Sequence, residues 1–413
     1  MIYDHNGNLL TEQNDAIIRY LPYEMSRVSD SKISKCLCAI KTEIVSNKIP
    51  FASGYLFHKL GVISQELFYG TTLENAESIG TVTFYPKDCV LAVSPTDGRI
   101  IAANRSLRGS LWVYDGTTTT KLFKDAELKP MGWLYNSGID FCIDGGGVEH
   151  CIFAEYDGSG TDHGGFYVWR GTYPYTSESD WETVFHMDFE YNPSSTATPG
   201  TITHFHQVRR DPWTETLYLT AGDLPNQLRW WYSTDYGENW TLLTDNANNG
   251  WEEHVCRTIN FIFTKDWIYW AVDHGTNHNL NKIARNSQTG IIDISTREKV
   301  CDLPFAQATN SICYVESPHG IWMFDRIDSG SEYAEYYGTG IKLQFYDLDT
   351  NTLNDVGYLG LTNNSWGGHR GKCYTNYTNG QESNPAMGFS DDSPCVFDIV
   401  GASDGIGTIF YEL

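Results

Sequence analysis

Short apolar segments, separated by Gly, Asp, Asn and Pro, follow one another along most of the chain. They are best defined between Gly200 and Leu243, where the pattern predicts four strands: Thr203–Arg209, Leu217–Ala221, Leu228–Ser233 and Trp240–Leu243. Asp211 and Pro212 predict the turn between the first two strands, because Pro fixes φ and Asp accepts local backbone hydrogen bonds. Four short antiparallel strands within about 40 residues are typical of one blade of a β-propeller.

The same strand and turn pattern recurs on both sides of this segment, at spacings of roughly 45–55 residues. The other units are Val82–Phe123, Gly132–Met187, Cys256–Leu303, Ala308–Leu359 and a degenerate unit, Gly368–Leu413. Together the units predict an all-β chain, with a six-bladed propeller of four-stranded antiparallel blades over residues 36–413 and an N-terminal arm over residues 1–35. The alternative is seven blades, if Cys36–Phe68 forms a blade of its own.

The turn before the fourth predicted strand carries a specific motif, S-x-D-x-G-x-x-W. It is formed by Ser233, Asp235, Gly237 and Trp240. The Asp side chain can accept backbone donors inside the turn, Gly can adopt a positive φ, and Trp can pack back over the turn. The motif therefore predicts a structural role at the periphery of a blade.

This motif resembles the Asp-box, or bacterial neuraminidase repeat, of sialidases and other carbohydrate-active propellers. The segment Cys151–Thr276 also resembles a group of bacterial and phage Asp-box propellers, through AEY, ITHFHQVRRDP, TAGD and WAVDHGTN in that order. The resemblance implies a sialidase-like glycoside hydrolase that acts on an acidic glycan. Glu155 and Tyr156 would then be the nucleophile pair, with Asp223 or Asp273 as the acid. The substrate carboxylate would be held by Arg257, Arg326 and Arg370.

Polar residues recur after the second strand of each unit and near the start of the first strand. Identical topology brings these positions to the same end of a propeller, so we predict that they converge on one funnel around the central channel. The substrate-binding candidates among them are Arg105, His204, Arg257, Asn260, His274, Asn310, Arg326, His369 and Arg370. Since Arg257 begins the blade next to that of His206, and Asp273 follows the neighbouring strand, these three residues are expected to share one pocket.

His204 and His206 are two positions apart on a predicted strand, which points both side chains to the same face. They suit a general base or hydrogen-bonded lining of the channel. No cofactor is predicted, although these two residues and His274 leave room for a divalent metal. A polysaccharide lyase is the alternative to a hydrolase. In a lyase, His206 or Tyr156 would remove the proton α to a uronate carboxylate, which an Arg neutralises.

The 413-residue chain has a net charge of −24, which argues against nucleic acid and anionic membranes as partners. Ten Cys, mostly inside apolar strand patterns, and an N-terminus without a signal peptide predict synthesis in a reducing cytoplasm, with later release or incorporation into a virion left open. The missing signal peptide, the polar N-terminal arm and the incomplete catalytic set indicate a further alternative to an enzyme, a non-catalytic glycan-binding module of a phage tail or cell surface. The N-terminal arm would serve docking, and the expected partner in every class is an acidic oligo- or polysaccharide.

Overall fold

The described part of the chain is built from β-strands. The structure is a computed structural model that describes residues 34–40, 54–59, 65–70, 77–84, 89–104, 111–123, 138–156, 165–190, 201–246, 248–274, 278–303, 308–315, 320–327, 340–360, 370–374, 395–400 and 408–411. Helices within these ranges are the two short 3-10 helices Glu178–Asp180 and Ile294–Thr296. Neither is long or apolar enough to span a membrane.

The first three sheets are formed by strands that follow one another in the chain. Sheet 1 contains β1 (Ser34–Ile40), β2 (Gly54–Lys59), β3 (Glu66–Gly70) and β4 (Glu77–Thr81). Sheet 2 contains β5 (Cys89–Val93), β6 (Ile100–Asn104), β7 (Leu111–Tyr114) and β8 (Thr119–Leu122). Sheet 3 contains β9 (Ile139–Ile143), β10 (Glu149–Ala154), β11 (Phe166–Thr172), β12 (Trp181–Phe189) and β13 (Thr201–Ile202). All of these neighbours pair antiparallel except β12 and β13, which pair parallel.

The next four sheets repeat the antiparallel order. Sheet 4 contains β14 (Phe205–Arg210), β15 (Leu217–Ala221), β16 (Arg229–Ser233) and β17 (Thr241–Asp245). Sheet 5 contains β18 (Ile262–Phe263), β19 (Trp267–Ala271), β20 (Asn279–Ala284) and β21 (Glu298–Asp302). Sheet 6 contains β22 (Ala308–Val315), β23 (Gly320–Ile327), β24 (Gly340–Asp347) and β25 (Thr352–Gly360). Sheet 7 contains β26 (Arg370–Tyr374), β27 (Cys395–Val400) and β28 (Thr408–Tyr411).

Apolar clusters lie between consecutive sheets. Between sheets 3 and 4, for example, Ile152 and Val168 of one sheet share a buried cluster with Val208 and Leu219 of the next. Similar clusters join sheets 1 and 2, 2 and 3, 4 and 5, and 5 and 6. Because a central sheet is covered on both faces, β15 is buried at every position and lacks the alternation of a half-exposed strand.

The first strands of successive sheets approach one another, with β1 beside β5, β9 beside β14, β18 beside β22, and β22 beside β26. At the ends of the described chain, β1 also contacts β28. Sequential antiparallel sheets that stack face to face around their first strands have the arrangement of a β-propeller. The first strand of each sheet therefore faces a common centre, and the ends at which these strands begin lie at one end of it.

The described strands form seven sheets, whereas six units were predicted. Strands β1 to β4 form a sheet of their own, as in the alternative interpretation, and β1 begins inside the segment assigned to the arm. This sheet was not recognised as a repeat because its loops lack the Asp, Gly and His pattern of the later units. Residues 1–33 of the predicted arm lie outside the described residues.

The S-x-D-x-G-x-x-W turn between β16 and β17 has the local geometry expected from its residues. The Asp235 carboxylate accepts hydrogen bonds from the Ser233 hydroxyl (2.8 Å) and from the backbone N–H of Asn239 (3.0 Å). Gly237 has φ +85°, and a Cβ there would lie 2.9 Å from Ile152 Cδ1 in sheet 3. Trp240 packs against the cluster between sheets 3 and 4. The turn thus links two sheets through close packing.

Candidate functional site

Side chains from three successive sheets meet at one end of the fold. Each lies next to the start of a first strand or the end of a second strand. These side chains are Tyr156 after β10, His204 and His206 at the start of β14, Asp223 after β15, Arg257 before β18 and Asp273 after β19. The repeat topology predicted this shared end.

A β-bulge orients His206. Strand β14 begins at Phe205, two residues later than predicted, so His204 precedes the strand. Phe205 pairs with Ala221 and Gln207 with Thr220, which leaves His206 as the extra residue of the bulge. Bulges redirect side chains at the ends of strands. Here the bulge allows both imidazoles to face the same cluster.

The loop after β15 depends on Gly222. This residue has φ +102°, and its backbone N–H donates to the carbonyl of His204 (3.1 Å). A Cβ at this position would lie 2.6 Å from the backbone carbonyl carbon and oxygen of Gln227. Only Gly fits such a conformation without strain, and the resulting turn brings Asp223 against the histidines.

Three side chains form the centre of the site. The Nε2 atoms of His204 and His206 are 3.0 Å apart. Each also lies 3.3 Å from an oxygen of Asp223, Oδ2 for His204 and Oδ1 for His206. His206 Nδ1 lies 3.1 Å from the carbonyl oxygen of Thr258, to which it donates. That hydrogen bond places the lone pair of a neutral His206 on Nε2, inside the cluster.

The charges in this cluster are set by burial and by its neighbours. Burial lowers the pKa of His204, although the nearby Asp223 acts in the opposite direction. Burial alone would raise the pKa of Asp223, but His204, His206 and Arg257 outweigh it and hold that pKa well below the usual range. Asp223 is therefore a carboxylate at neutral pH, and His204 is a neutral imidazole there.

Arg257 connects the cluster to Asp273. Its Nη2 lies 2.9 Å from Asp223 Oδ1, its Nη1 donates to the backbone carbonyl of Asp223 (3.2 Å), and its Nε lies 3.5 Å from Asp273 Oδ2. The backbone N–H of Asp273 donates to the carbonyl of Arg257 (2.8 Å). Asp223 thus links His206 to Arg257, and Arg257 in turn lies beside Asp273. The guanidinium retains N–H donors on both terminal nitrogens.

Glu155 and Tyr156 have separate environments. Glu155 is 0% exposed, and its two oxygens accept hydrogen bonds from Trp169 Nε1 (2.7 Å) and the backbone N–H of Tyr167 (2.9 Å). Tyr156 is half-buried and packs on His204, with ring centroids 4.2 Å apart. The Glu155 carboxylate therefore accepts hydrogen bonds from β11 inside sheet 3, which argues against its expected role beside Tyr156 in a nucleophile pair.

Asn260 and His274 were predicted as substrate-binding residues around the funnel, and the structure shows a different environment for each. Asn260 is buried, and its Oδ1 accepts from Nε (2.7 Å) and Nη2 (2.6 Å) of the buried Arg209. His274 stacks on His254, with ring centroids 3.7 Å apart. Burial, together with His274 and Arg257, lowers the pKa of His254 to about 4. Asn260 therefore supports the interior, and His274 belongs to a second imidazole pair beside Arg257.

The remaining predicted residues are Arg105, Asn310, Arg326, His369 and Arg370. Arg105 and His369 lie outside the described residues. Asn310, Arg326 and Arg370 lie in described strands, and only their backbone is described. Asn310 is the extra residue of a bulge in β22, the position that His206 occupies in β14. The backbone repeat thus extends to sheet 6.

Sequence reasoning missed the carbonyl of Thr258 and the ring of His254. Thr258 has no special side-chain signal, because it acts through its main chain. His254 adopts φ +68° in the turn before Arg257, a conformation that the sequence does not indicate for His.

No protein-family model and no curated protein matches the chain. Solved structures resemble it weakly. An oligogalacturonate lyase from Vibrio parahaemolyticus is 10% identical over 95% of this chain and 97% of its own, with a TM-score of 0.47. A candidate 6-phosphogluconolactonase from Bacteroides fragilis is 13% identical, over 81% and 84%, with a TM-score of 0.45. A protein from Lactobacillus plantarum is 13% identical, over 80% and 82%, with a TM-score of 0.39. These likenesses are too weak to bear on the chemistry.

Proposed function

We propose that the chain is a polysaccharide lyase, which cleaves a uronate-containing glycan at the cluster of Tyr156, His204, Asp223 and Arg257. The observation that carries the proposal is the position of Asp223, whose carboxylate lies 2.9 Å from Arg257 Nη2 and 3.3 Å from the Nε2 atoms of His204 and His206, contacts that hold its pKa well below the usual range. A glycoside hydrolase needs a carboxylic acid that stays protonated to give its proton to the leaving group. Asp223 is unsuited to that role, and both oxygens of the Glu155 carboxylate already accept hydrogen bonds inside sheet 3.

The same geometry suits proton abstraction next to a carboxylate. Tyr156 is half-buried and lies against His204, whereas His206 is 2% exposed. Tyr156 is therefore the better placed of the two predicted bases to meet a substrate. Arg257 keeps donors on its terminal nitrogens, which can neutralise the substrate carboxylate as negative charge develops on it.

The proposed reaction is a β-elimination. The base takes the C5 proton, which is α to the uronate carboxylate, and the electron pair of that C–H bond forms the C4–C5 double bond. The C4–O bond then breaks and its electrons stay on the leaving sugar oxygen, which takes up the proton that the base received from C5, so that the base is regenerated. The products are one chain with a reducing end and one with an unsaturated terminal uronate.

The test is incubation of the purified chain with a panel of polygalacturonate, alginate, a glucuronate polymer and a sialylated glycan. Ultraviolet absorbance measures the unsaturated ends, and a reducing-sugar assay measures all cleavage. A lyase produces both signals in equal amounts on a uronate polymer. Reducing ends without absorbance would establish hydrolysis, and glycan binding without either signal would establish a non-catalytic module; both outcomes contradict the proposal.

Tyr156→Phe tests the assignment of the base. Removal of the hydroxyl should reduce kcat by at least about 100-fold, since a general base contributes factors of this size, while the ring still packs on His204. Tyr232→Phe is the matched control, because Tyr232 lies in β16 toward the opposite end of sheet 4. Equal activity of Tyr156→Phe and the control would refute the assigned base.

A further inference from the structure

The nitrogen and oxygen atoms of His204, His206 and Asp223 have the spacing of ligands around one metal ion. Their separations are 3.0 Å between the two Nε2 atoms, 3.3 Å from His204 Nε2 to Asp223 Oδ2 and 3.3 Å from His206 Nε2 to Asp223 Oδ1, so the carboxylate faces the nitrogens with both of its oxygens. Two ligands that each lie about 2.1 Å from an ion are about 3.0 Å apart at a right angle and about 3.4 Å apart at the tetrahedral angle. The observed distances fall within this range without any movement of the chain.

We propose that His204 Nε2, His206 Nε2 and the Asp223 carboxylate bind a divalent first-row transition-metal ion such as Zn²⁺ or Mn²⁺. Two imidazoles and one carboxylate favour such ions over Ca²⁺ and Mg²⁺, which prefer all-oxygen sites. The proposed site shares His204 and Asp223 with the proposed reaction, but metal binding requires only these three side chains and can be measured without a glycan.

The surroundings hold two of the ligands in the required orientation. His206 donates through Nδ1 to the carbonyl of Thr258, which turns its Nε2 lone pair toward the ion. Arg257 Nη2 fixes Asp223 through Oδ1. Partners of this kind commonly orient metal ligands in proteins. His204 Nδ1 is buried without a hydrogen-bond partner among the described residues, so we expect weaker binding than at a structural zinc site.

The site is open on one side. The Asp223 side chain is 22% exposed, and the neighbouring Tyr156 is half-buried. Three protein ligands with an open position are characteristic of metal sites that bind an exogenous ligand. An acidic glycan, the substrate class of the proposed function, is a suitable exogenous ligand. When both imidazoles are neutral, the charges of Asp223, Asp273 and Arg257 sum to one negative charge. A bound divalent cation changes the net charge of the site to one positive charge, which attracts an anionic ligand.

Isothermal titration calorimetry of the full chain, after removal of metals with a chelator, tests the site with Zn²⁺ alone and with Mn²⁺ alone. Asp223→Asn keeps the shape of the side chain, and His204→Ala removes a different ligand. Each variant should bind one ion per chain fewer than the wild type, or bind that ion at least about 30-fold more weakly. Circular dichroism and melting temperature verify that both variants are folded.

His186→Gln is the matched control, because it alters another His–Asp pair, in which His186 Nε2 lies 3.9 Å from Asp188 Oδ1 on the exposed part of β12. Its ion binding should equal that of the wild type. The inference is wrong if the wild type binds neither ion with a Kd below about 1 mM, or if Asp223→Asn and His204→Ala bind both ions as tightly as the control does.

The calorimetry contains no glycan, so its outcome is separate from that of the activity assay. Ion binding without glycan cleavage would refute the lyase and leave the metal site intact. Cleavage by chain that binds no ion would refute the metal site and leave the lyase intact.

Discussion

Replacement of Glu155 distinguishes a structural carboxylate from a catalytic one. In Glu155→Gln, one oxygen remains as an acceptor, and the new NH₂ group faces the other buried donor. The donors concerned are Trp169 Nε1 and the backbone N–H of Tyr167, at 2.7 and 2.9 Å from the carboxylate. A buried donor that loses its acceptor costs about 1–3 kcal/mol. We therefore expect Glu155→Gln to lower the free energy of unfolding by about 2 kcal/mol, and Glu155→Ala by about 4 kcal/mol.

Urea unfolding, followed by tryptophan fluorescence and circular dichroism, measures this change as a shift of the midpoint. Glu298→Gln is the control, because its partner in an exposed ion pair is Lys282, and such pairs contribute at most about 1 kcal/mol. The structural assignment predicts that Glu155→Gln retains substantial turnover at low temperature. A variant that unfolds like the wild type but has lost all turnover would refute this reasoning and restore Glu155 to the catalytic set.

Two further predictions concern turns. Gly222→Ala should lower the free energy of unfolding, measured with urea, by about 3 kcal/mol, because φ is +102° and the new Cβ would meet Gln227. The control Gly250→Ala has φ +74° and nothing within 4 Å of the new Cβ, so it should cost about 1 kcal/mol. Equal losses in the two variants would contradict the role of the close contact. Burial alone would raise the pKa of Asp235, but hydrogen bonds from Asn239 outweigh it and lower that pKa below 3.8. The stability that this carboxylate contributes is therefore present above pH 3.8 and is lost as the pH falls through the pKa of the folded state. Asp235→Asn should therefore melt below the wild type at pH 7, with a smaller difference at pH 3; a difference independent of pH would refute the linkage.

The strands of sheet 4 could be predicted closely because their signals are local. The predicted segment Leu217–Ala221 coincides with β15, and the limits of the other three strands differ from β14, β16 and β17 by no more than two residues. Short apolar runs bounded by Asp, Pro and Gly specify such strands without long-range information. Sheet 1 was predicted only as an alternative blade, because the segments between its strands lack the Asp, Gly and His pattern of the later units. Its strands nevertheless pair in the same antiparallel order.

The site was only partly predictable, because topology determines which loops meet but does not determine side-chain partners. The sequence repeat predicted that Asp223, Arg257 and Asp273 lie at one end of the fold, and the three side chains are in contact there through Arg257. The hydrogen-bond partners of Glu155 depend on the register of β10 against β11. This register places Trp169 opposite Phe153, so the Trp169 indole lies within hydrogen-bond distance of the Glu155 carboxylate. Sequence alone does not establish that register, so the adjacent Glu and Tyr appeared to be a functional pair.

The most specific motif in the sequence lies away from the chemistry, and the strand directions explain why. Strand β15 runs toward Gly222 and Asp223, and β16 runs back from that loop and ends at Ser233. The Ser233–Trp240 turn is therefore at the opposite end of sheet 4 from the histidines. Its hydrogen bonds and its packing on Ile152 can persist whatever side chains occupy the other end. The turn is a structural feature of the blade, whereas the proposed reaction depends on the cluster around Asp223.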